Sequence, residues 1–311
     1  MTSRRVLLRV IIRLRRILRS DQLVLAVLAV VIGTAVAVGE ILFRQLLSAV
    51  QFVFYGFSSS QLAALAADLA WWHLLLAPAL GGLMIGLLVR YATPNRAPLS
   101  VPDVMEACAL RGGRMSPRAG LGAAVVSAAS LGVGASTGRE GPVVHLGATI
   151  GAWLAQRLRL SANLSRTLLG CGVAAAVAAS FNAPIAGVFF ALEVVIGHYA
   201  LSAFAPIVLA SVMGTIISRL HYGDFPAFIL PQSYEIVSFL EFPAFALLGL
   251  VSAIVAVSFM KSIMLAGDSV AKLKLPAILR PAVGGLAIGA MAIIFPEILG
   301  VGYDTTDAAL K

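Results

Sequence analysis

A glutamate flanked by glycines lies within a chain that is otherwise almost entirely hydrocarbon, in the segment Gly-Arg-Glu-Gly-Pro at residues 138–142. Pro142 suits the first position of a helix, because its missing N–H costs nothing there. Unpaired backbone N–H groups collect at such a helix start, together with the positive end of the helix dipole. This combination binds anions. The candidate anion-binding residues are Gly138, Arg139, Glu140 and Gly141.

The carboxylate of Glu140 gives this site a titratable group. When it is ionised, the side chain is itself an anion and is able to occupy the site that its own backbone forms. When it is protonated, it loses that attraction and moves aside. A charge at the bilayer centre costs roughly 2.5–3.5 kcal/mol on insertion scales, which predicts a functional role. The alternative is an Arg139–Glu140 ion pair, although adjacent side chains at a bend usually point apart.

A second helix opened by a proline follows in the segment Ser-Phe-Asn-Ala-Pro. Pro184 is predicted at an early helical position, with Asn182 as the capping residue. The short helix is predicted to end near Glu193, a second acid in apolar surroundings. Glu193 either has a direct ion or proton role, or lies at the cytoplasmic mouth, where solvent or a backbone donor holds it.

A third helix start lies between two prolines, Pro98 and Pro102. Asp103 and Glu106 follow, and acids in the first turn of a helix are stabilised by the helix dipole. Both acids are therefore predicted to stabilise the helix. Ser100 is a candidate donor to an anion or a helix cap, and the cap is favoured.

Other chemistry lacks the residues it needs. The four histidines and two cysteines show no metal-ligand spacing. The segment Gly-Val-Gly-Ala-Ser-Thr-Gly departs by one residue from a dinucleotide-binding pattern and has no Lys-Ser/Thr pair. Without a nucleophile–base pair or a metal cluster, the sequence predicts neither an enzyme nor a bound cofactor.

Composition places these segments in a membrane. Hydrophobic residues make up 60% of the 311 residues and charged residues 12%, whereas soluble domains carry about 25% charged residues. The mean hydropathy is +0.96. The sequence therefore predicts an all-α polytopic membrane protein built from tilted and broken helices.

A spanning helix needs roughly 20 apolar residues. The predicted spans are 23–55, 71–91, 119–137, 201–220, 241–266 and 277–296. The first is long for one span, and it carries Glu40 and Arg44 one helical turn apart. Shorter apolar segments, too short to cross alone, lie at 101–110, 143–157, 165–179 and 184–197. Short helices interrupted by Pro and Gly are typical of the interior of a channel or transporter.

Seven arginines alternate with aliphatic residues in the segment 1–20 of a chain whose net charge is +9. The pattern predicts a basic amphipathic helix on the cytoplasmic face of the membrane. A nucleic-acid-binding arm is disfavoured because the segment runs directly into a span, so nucleic acid is not an expected partner. Positive charge before the first span predicts a cytoplasmic N-terminus in the cell (inner) membrane.

Three segments together resemble the CLC family of chloride channels and proton-coupled chloride antiporters. They read STGREGPVVHLGATIGAWLA, AASFNAPIAGVFFALEV and VPDVMEACALRGGRM. The resemblance implies a homodimer with one ion pathway per subunit. It implies a single transmembrane domain over 21–311, whose inverted halves are 21–222 and the start of a second half at 235–311. It also implies that the amides of Arg139, Glu140 and Gly141 line the pathway and that Glu140 gates it and accepts a proton.

Two residues depart from the family pattern. Leu99 stands where the family usually has an anion-contacting serine, so Ser100 serves only if the loop is shifted, and the anion preference stays open. Val194 follows Glu193 where many antiporters carry a second acid as the internal proton acceptor. The valine resembles the channel branch and favours weak or absent proton coupling, without deciding between a channel and an antiporter.

The resemblance also implies an incomplete second half, because the family's Gly-x-Phe-x-Pro helix start is not found before Lys311. The predicted function is transmembrane transport of chloride or a similar small anion, with protons as a candidate second substrate. Two alternatives stay open. One is a non-transporting membrane fragment or pseudo-subunit, and the other is a secondary transporter of an organic anion.

Overall fold

The computed structural model describes residues 21–58, 62–66, 68–92, 99–224, 236, 238–272 and 274–310. The predicted basic helix over 1–20 and Pro98 lie outside the described residues. Within them the chain forms twelve α-helices, and the all-α prediction is confirmed. The helices are α1 Asp21–Tyr55, α2 Leu62–Ala66, α3 Trp71–Ala92, α4 Val101–Ala109, α5 Pro117–Gly132, α6 Glu140–Arg157, α7 Ala162–Phe181, α8 Pro184–Phe190, α9 Leu201–Tyr222, α10 Glu241–Lys272, α11 Arg280–Ala292 and α12 Tyr303–Leu310.

Five of these helices are long and apolar enough to cross a membrane, as judged by length and composition: α1, α3, α7, α9 and α10. The predicted spans at 23–55, 71–91, 201–220 and 241–266 are therefore confirmed as long apolar helices. The 35 residues of α1 form one continuous helix. The chain is a multi-pass α-helical protein.

The prediction that 165–179 is too short to cross was wrong. Helix α7 has 20 residues, because its polar first turn belongs to the helix and is capped by Ser161, whose side chain accepts from the Leu164 N–H at 3.5 Å. Asn182 ends α7 in the left-handed conformation, with φ 55°. The predicted cap of the following helix was therefore also misplaced, and Ala183 precedes Pro184 there.

Two predicted spans were too long. The segment 119–137 is helical only as far as Gly132, because Gly134 takes a φ of +91° that leaves the helical region. The hydroxyl of Tyr55 donates to the Val133 carbonyl at 2.9 Å and fixes the chain in this turn. The segment 277–296 forms only the 13 residues of α11.

The core surrounds α7, in which every residue from Leu168 to Ser180 is buried. Helix α6 packs so closely on α7 that a Cβ on Gly172 would overlap the carbonyl oxygen of Gly147, and the reverse also holds. Small residues permit such backbone approach in lipid, as the Gly/Ala-rich sequence predicts. Cys171 is a fully buried core residue of this contact region.

The close contact between α6 and α7 predicts that two Gly→Ala substitutions differ strongly in their effect on the free energy of unfolding. Gly172→Ala should lower the free energy of unfolding in detergent by about 1–3 kcal/mol, the usual range for overpacking, because the added methyl meets backbone that cannot yield. Gly249→Ala on α10 is the matched control, since no heavy atom lies within 4 Å of its Cβ position. An equal effect at both positions would contradict the packing described.

Helix α11 packs against α3, where Gly289 lies against the Leu74 carbonyl. Together with the residues around Tyr55 and Leu299, these helices form a second, smaller core. Helix α10 differs from the other long helices, because none of its residues is buried among the described residues. The other described residues therefore leave every face of α10 exposed.

Candidate functional site

The glycine-flanked glutamate opens helix α6. The helix begins at Glu140 and not at Pro142 as predicted, and Arg139 occupies the N-cap position without a capping hydrogen bond from its side chain. Its first backbone hydrogen bond runs from the Val143 N–H to the Arg139 carbonyl at 3.3 Å. The amides of Arg139, Glu140 and Gly141 precede that bond, so they lack partners within the helix. Pro142 has no N–H and therefore adds no further unpaired donor.

The carboxylate of Glu140 turns back over the loop that precedes its own helix. A Cβ placed on Gly138 would lie 2.5 Å from Oε2 of Glu140, so only a glycine leaves room for this conformation. The side chain is half-buried. No ion pair in the described part of the chain includes Glu140, so the structure does not form the alternative Arg139–Glu140 pair.

A second helix start meets the first. Ser100 occupies the N-cap position of α4, as favoured from the sequence, and its N–H donates to Oδ2 of Asp103 at 2.8 Å. Asp103 therefore stabilises the start of the helix, as predicted. A Cβ on Gly141 would lie 3.6 Å from the Cβ of Ser100. The structure thus brings Ser100 to the start of α6, and Leu99 is the half-buried residue that precedes it.

The guanidinium of Arg139 points away from Glu140. It donates to the Ser180 carbonyl at 3.5 Å and lies 4.8 Å from the centroid of the Tyr303 ring. Arg44 donates to the same carbonyl at 3.0 Å and lies over the ring of Tyr222 at 4.6 Å. The last carbonyls of a helix lack helical partners and carry the negative end of its dipole, so two cations are held at the end of α7.

Glu40 supplies the negative charge for this pair of arginines. Its side chain is 1% exposed and forms an ion pair with Arg44 one turn further along α1. The two residues are four apart in the sequence, which places them one helical turn apart. The contacts of Arg139 with Ser180 and Tyr303 were not predicted, because they join residues far apart in the sequence. Arg139 is thus held by residues of α7 and α12.

Glu193 lies outside the site formed by the starts of α4 and α6. Helix α8 ends at Phe190, and Glu193 is exposed on the π-helical turn Ala191–Ile196 that follows. The hydroxyl of Tyr199 donates to Oε2 of Glu193 at 3.3 Å. Desolvation and the negative charge of Glu193 raise the pKa of Tyr199, so the phenol stays a donor. No hydrogen bond between described residues joins Glu193 to Glu140.

Apolar helices long enough to span a membrane, together with two helix starts that lie next to each other, define a multi-pass membrane protein with broken helices. Residues 81–311 match the family model described as voltage gated chloride channel. The chain therefore belongs to the voltage-gated chloride channel family, and the CLC resemblance of its motifs is confirmed.

Two bacterial relatives are similar over most of the chain. A ClcB-like chloride channel protein of Ralstonia nicotianae is 36% identical over 91% of this chain. The voltage-gated ClC-type chloride channel ClcB of Yersinia pseudotuberculosis is 31% identical over 83% of it. This chain spans 66% of the first relative's length and 63% of the second's.

Two solved structures share the fold. A slow cyanobacterial Cl⁻/H⁺ antiporter aligns with a TM-score of 0.77 at 23% identity, over 92% of this chain and 68% of that chain. A CLC-type fluoride/proton antiporter aligns with a TM-score of 0.75 at 26% identity, over 93% of this chain and 70% of that one. The broken-helix architecture predicted from the sequence is therefore confirmed.

Proposed function

We propose that this chain forms a transmembrane pathway for chloride or a similar small anion, and that Glu140 is its gate and proton acceptor. The observation that carries the proposal is the Glu140 carboxylate turned over Gly138, beside three backbone amides that have no helical partner. Those amides attract an anion. The tethered carboxylate competes for the same place while it is ionised and leaves when it is protonated.

A small inorganic anion fits this site better than an organic carboxylate. Carboxylates are commonly bound by an arginine in bidentate geometry, but Arg139 is engaged with Ser180 and Tyr303. The groups that remain at the site are backbone amides and Ser100. The two bacterial relatives described above are named as chloride channels, and the two solved structures are antiporters of chloride or fluoride, which supports the same class of substrate.

The proposal includes both conduction and proton-coupled exchange, with a preference for weak coupling. Val194 follows Glu193 at the end of the α8 segment, so this segment carries one acid only. Glu193 is exposed and accepts from Tyr199, which fits an acid in contact with solvent. Glu193 is the candidate internal proton acceptor if coupling is measured.

The proposed orientation follows from the distribution of arginines. Exposed arginines cluster at one end of the helices: Arg111, Arg114, Arg118, Arg157 and Arg159. Contacts bring their segments together, since Gln156 donates to the Met115 carbonyl at 2.9 Å and Arg166 donates to the Cys108 carbonyl at 2.8 Å. Positive charge marks the cytoplasmic side, so we propose that this end of the helices and the N-terminus of the chain are cytoplasmic.

The proposed assembly is a homodimer in the inner membrane, with inverted halves at 21–222 and from 235 onwards. The membership of the chain in its family supports this organisation. The exposed apolar faces of the described helices leave room for both lipid and a partner subunit.

Anion flux from proteoliposomes, recorded together with pH, tests the proposed function. Chloride-loaded vesicles containing the protein should release chloride faster than protein-free vesicles when a potassium ionophore dissipates the potential. Proton movement that follows chloride in fixed proportion would indicate exchange, and flux without it would indicate conduction. The proposal would be contradicted if the vesicles released no chloride but transported small organic carboxylates.

A further inference from the structure

A groove of about 340 Å³ opens on the side of the molecule where α1, α5 and α6 meet. The large side chains along it are strongly exposed: Leu42 58%, Leu121 61% and Trp153 48%. The hydroxyl of Thr149 is the polar group of the lining, and it already donates to the His145 carbonyl at 2.7 Å. The lining is therefore apolar, and its hydroxyl group already has a hydrogen-bond partner. Such a surface suits a hydrocarbon occupant.

Residues of α5 and α6 line this groove, and on each of these two helices an arginine follows the lining residues towards one end of the helices. On α6, Ile150 and Trp153 line the groove, and Arg157 follows Trp153 by one turn on the same face. On α5, Arg118 precedes Leu121 by one turn on the same face. Both arginines are exposed. The apolar groove thus has a cationic end.

The two arginines belong to neighbouring segments. Gln156, next to Arg157, donates to the carbonyl of Met115, three residues before Arg118. The ion pairs among the described residues include neither arginine. A cation in the first turn of a helix is disfavoured by the helix dipole. An anion beside Arg118 would offset this unfavourable interaction.

We propose that the groove binds an acyl chain of an anionic phospholipid, whose phosphate lies between Arg118 and Arg157. The occupant follows from charge complementarity. The apolar part matches a hydrocarbon chain, and the cationic end matches a phosphate. None of the residues 138–141 lines the groove, so this binding site is separate from the proposed anion site. It gives the protein a preference for membranes that contain acidic lipids.

Lipid retention by the purified full chain tests the proposal. The protein is reconstituted with equal amounts of phosphatidylglycerol and phosphatidylcholine of identical acyl chains, extracted in mild detergent and measured by native mass spectrometry. The wild type should retain phosphatidylglycerol at least about 10-fold better, given the attraction of acidic lipid to two arginines. The double variant Arg118→Gln/Arg157→Gln should lose this preference.

Two further variants separate the lipid site from general surface charge. Arg90→Gln removes another exposed arginine from the last turn of a helix, α3, and should leave the preference unchanged. Leu121→Trp fills the groove from an exposed position and should reduce retention of both lipids. The proposal fails if the double variant keeps the preference, if Arg90→Gln abolishes it equally, or if Leu121→Trp retains lipid like the wild type.

Discussion

Glu140→Gln should raise anion flux in proteoliposomes and make it independent of pH. The glutamine is close to the shape of the glutamate but stays neutral, so it no longer competes with the anion for the amides at the start of α6. An anion at a helix start is stabilised by up to about 2 kcal/mol in partly buried geometry, so losing the competitor can raise access by up to about 30-fold. In the wild type, flux should increase as the medium is acidified, because protonation removes the charge of Glu140.

Glu297→Gln provides the matched control for this experiment. Glu297 is exposed in the 3₁₀ turn Pro296–Ile298, outside the site. It should leave the rate and the pH dependence of chloride flux unchanged. If Glu140→Gln retains the pH dependence of the wild type, the carboxylate is not the gate. If the wild type carries no chloride at all, the proposed function fails before the variant is considered.

Glu40→Gln should reduce stability more than any other single neutralisation of an acid among the described residues. Glu40 is almost fully buried and pairs with Arg44, which also donates to the Ser180 carbonyl. Removing one partner of a buried ion pair leaves the other charge uncompensated and typically costs 3–5 kcal/mol, so we expect a loss of about that size. The free energy of unfolding in mixed micelles measures it.

Glu106→Gln is the control for the buried pair. Glu106 pairs with Arg111 on the exposed side of α4, and exposed pairs contribute about 0–1 kcal/mol. The double variant Glu40→Gln/Arg44→Gln should recover part of the loss, because it removes the unpaired cation as well. A similar small effect for Glu40→Gln and Glu106→Gln would show that the buried pair does not stabilise the fold.

Local sequence predicted the helices whose ends are set by local chemistry. Long apolar stretches located α1, α3, α9 and α10, and Pro184 correctly marked the start of α8. One failure lies where a tertiary contact sets the helix end, and the other where a local cap was overlooked. Residues 133–137 were included in the predicted span 119–137 because they carry small, uncharged side chains, but the turn at Gly134 is held by Tyr55 from another helix. The polar first turn of α7 was excluded by its composition although it is well capped.

For the site, the sequence indicated the unpaired amides because they follow from the order Gly-Arg-Glu-Gly-Pro alone. It also left Ser100 open as a neighbour of the anion, and the structure places it beside Gly141. The surroundings of Arg139 could not be predicted. Its contacts with Ser180 and Tyr303 depend on how α7 and α12 pack, and no local pattern encodes that packing.

The backbone contact between Gly147 and Gly172 limits how helix α6 is able to move. Helix α6 touches α7 through backbone atoms, and it is further tied by Gln156 at its end and Arg139 at its start. Sliding or rotation of the helix would break all three contacts, and such collective motions take microseconds to milliseconds. Rotation of the Glu140 side chain breaks none of them, and rotamer changes are faster than such collective motions. If Glu140 is the gate, as proposed, opening therefore does not wait for a movement of helix α6.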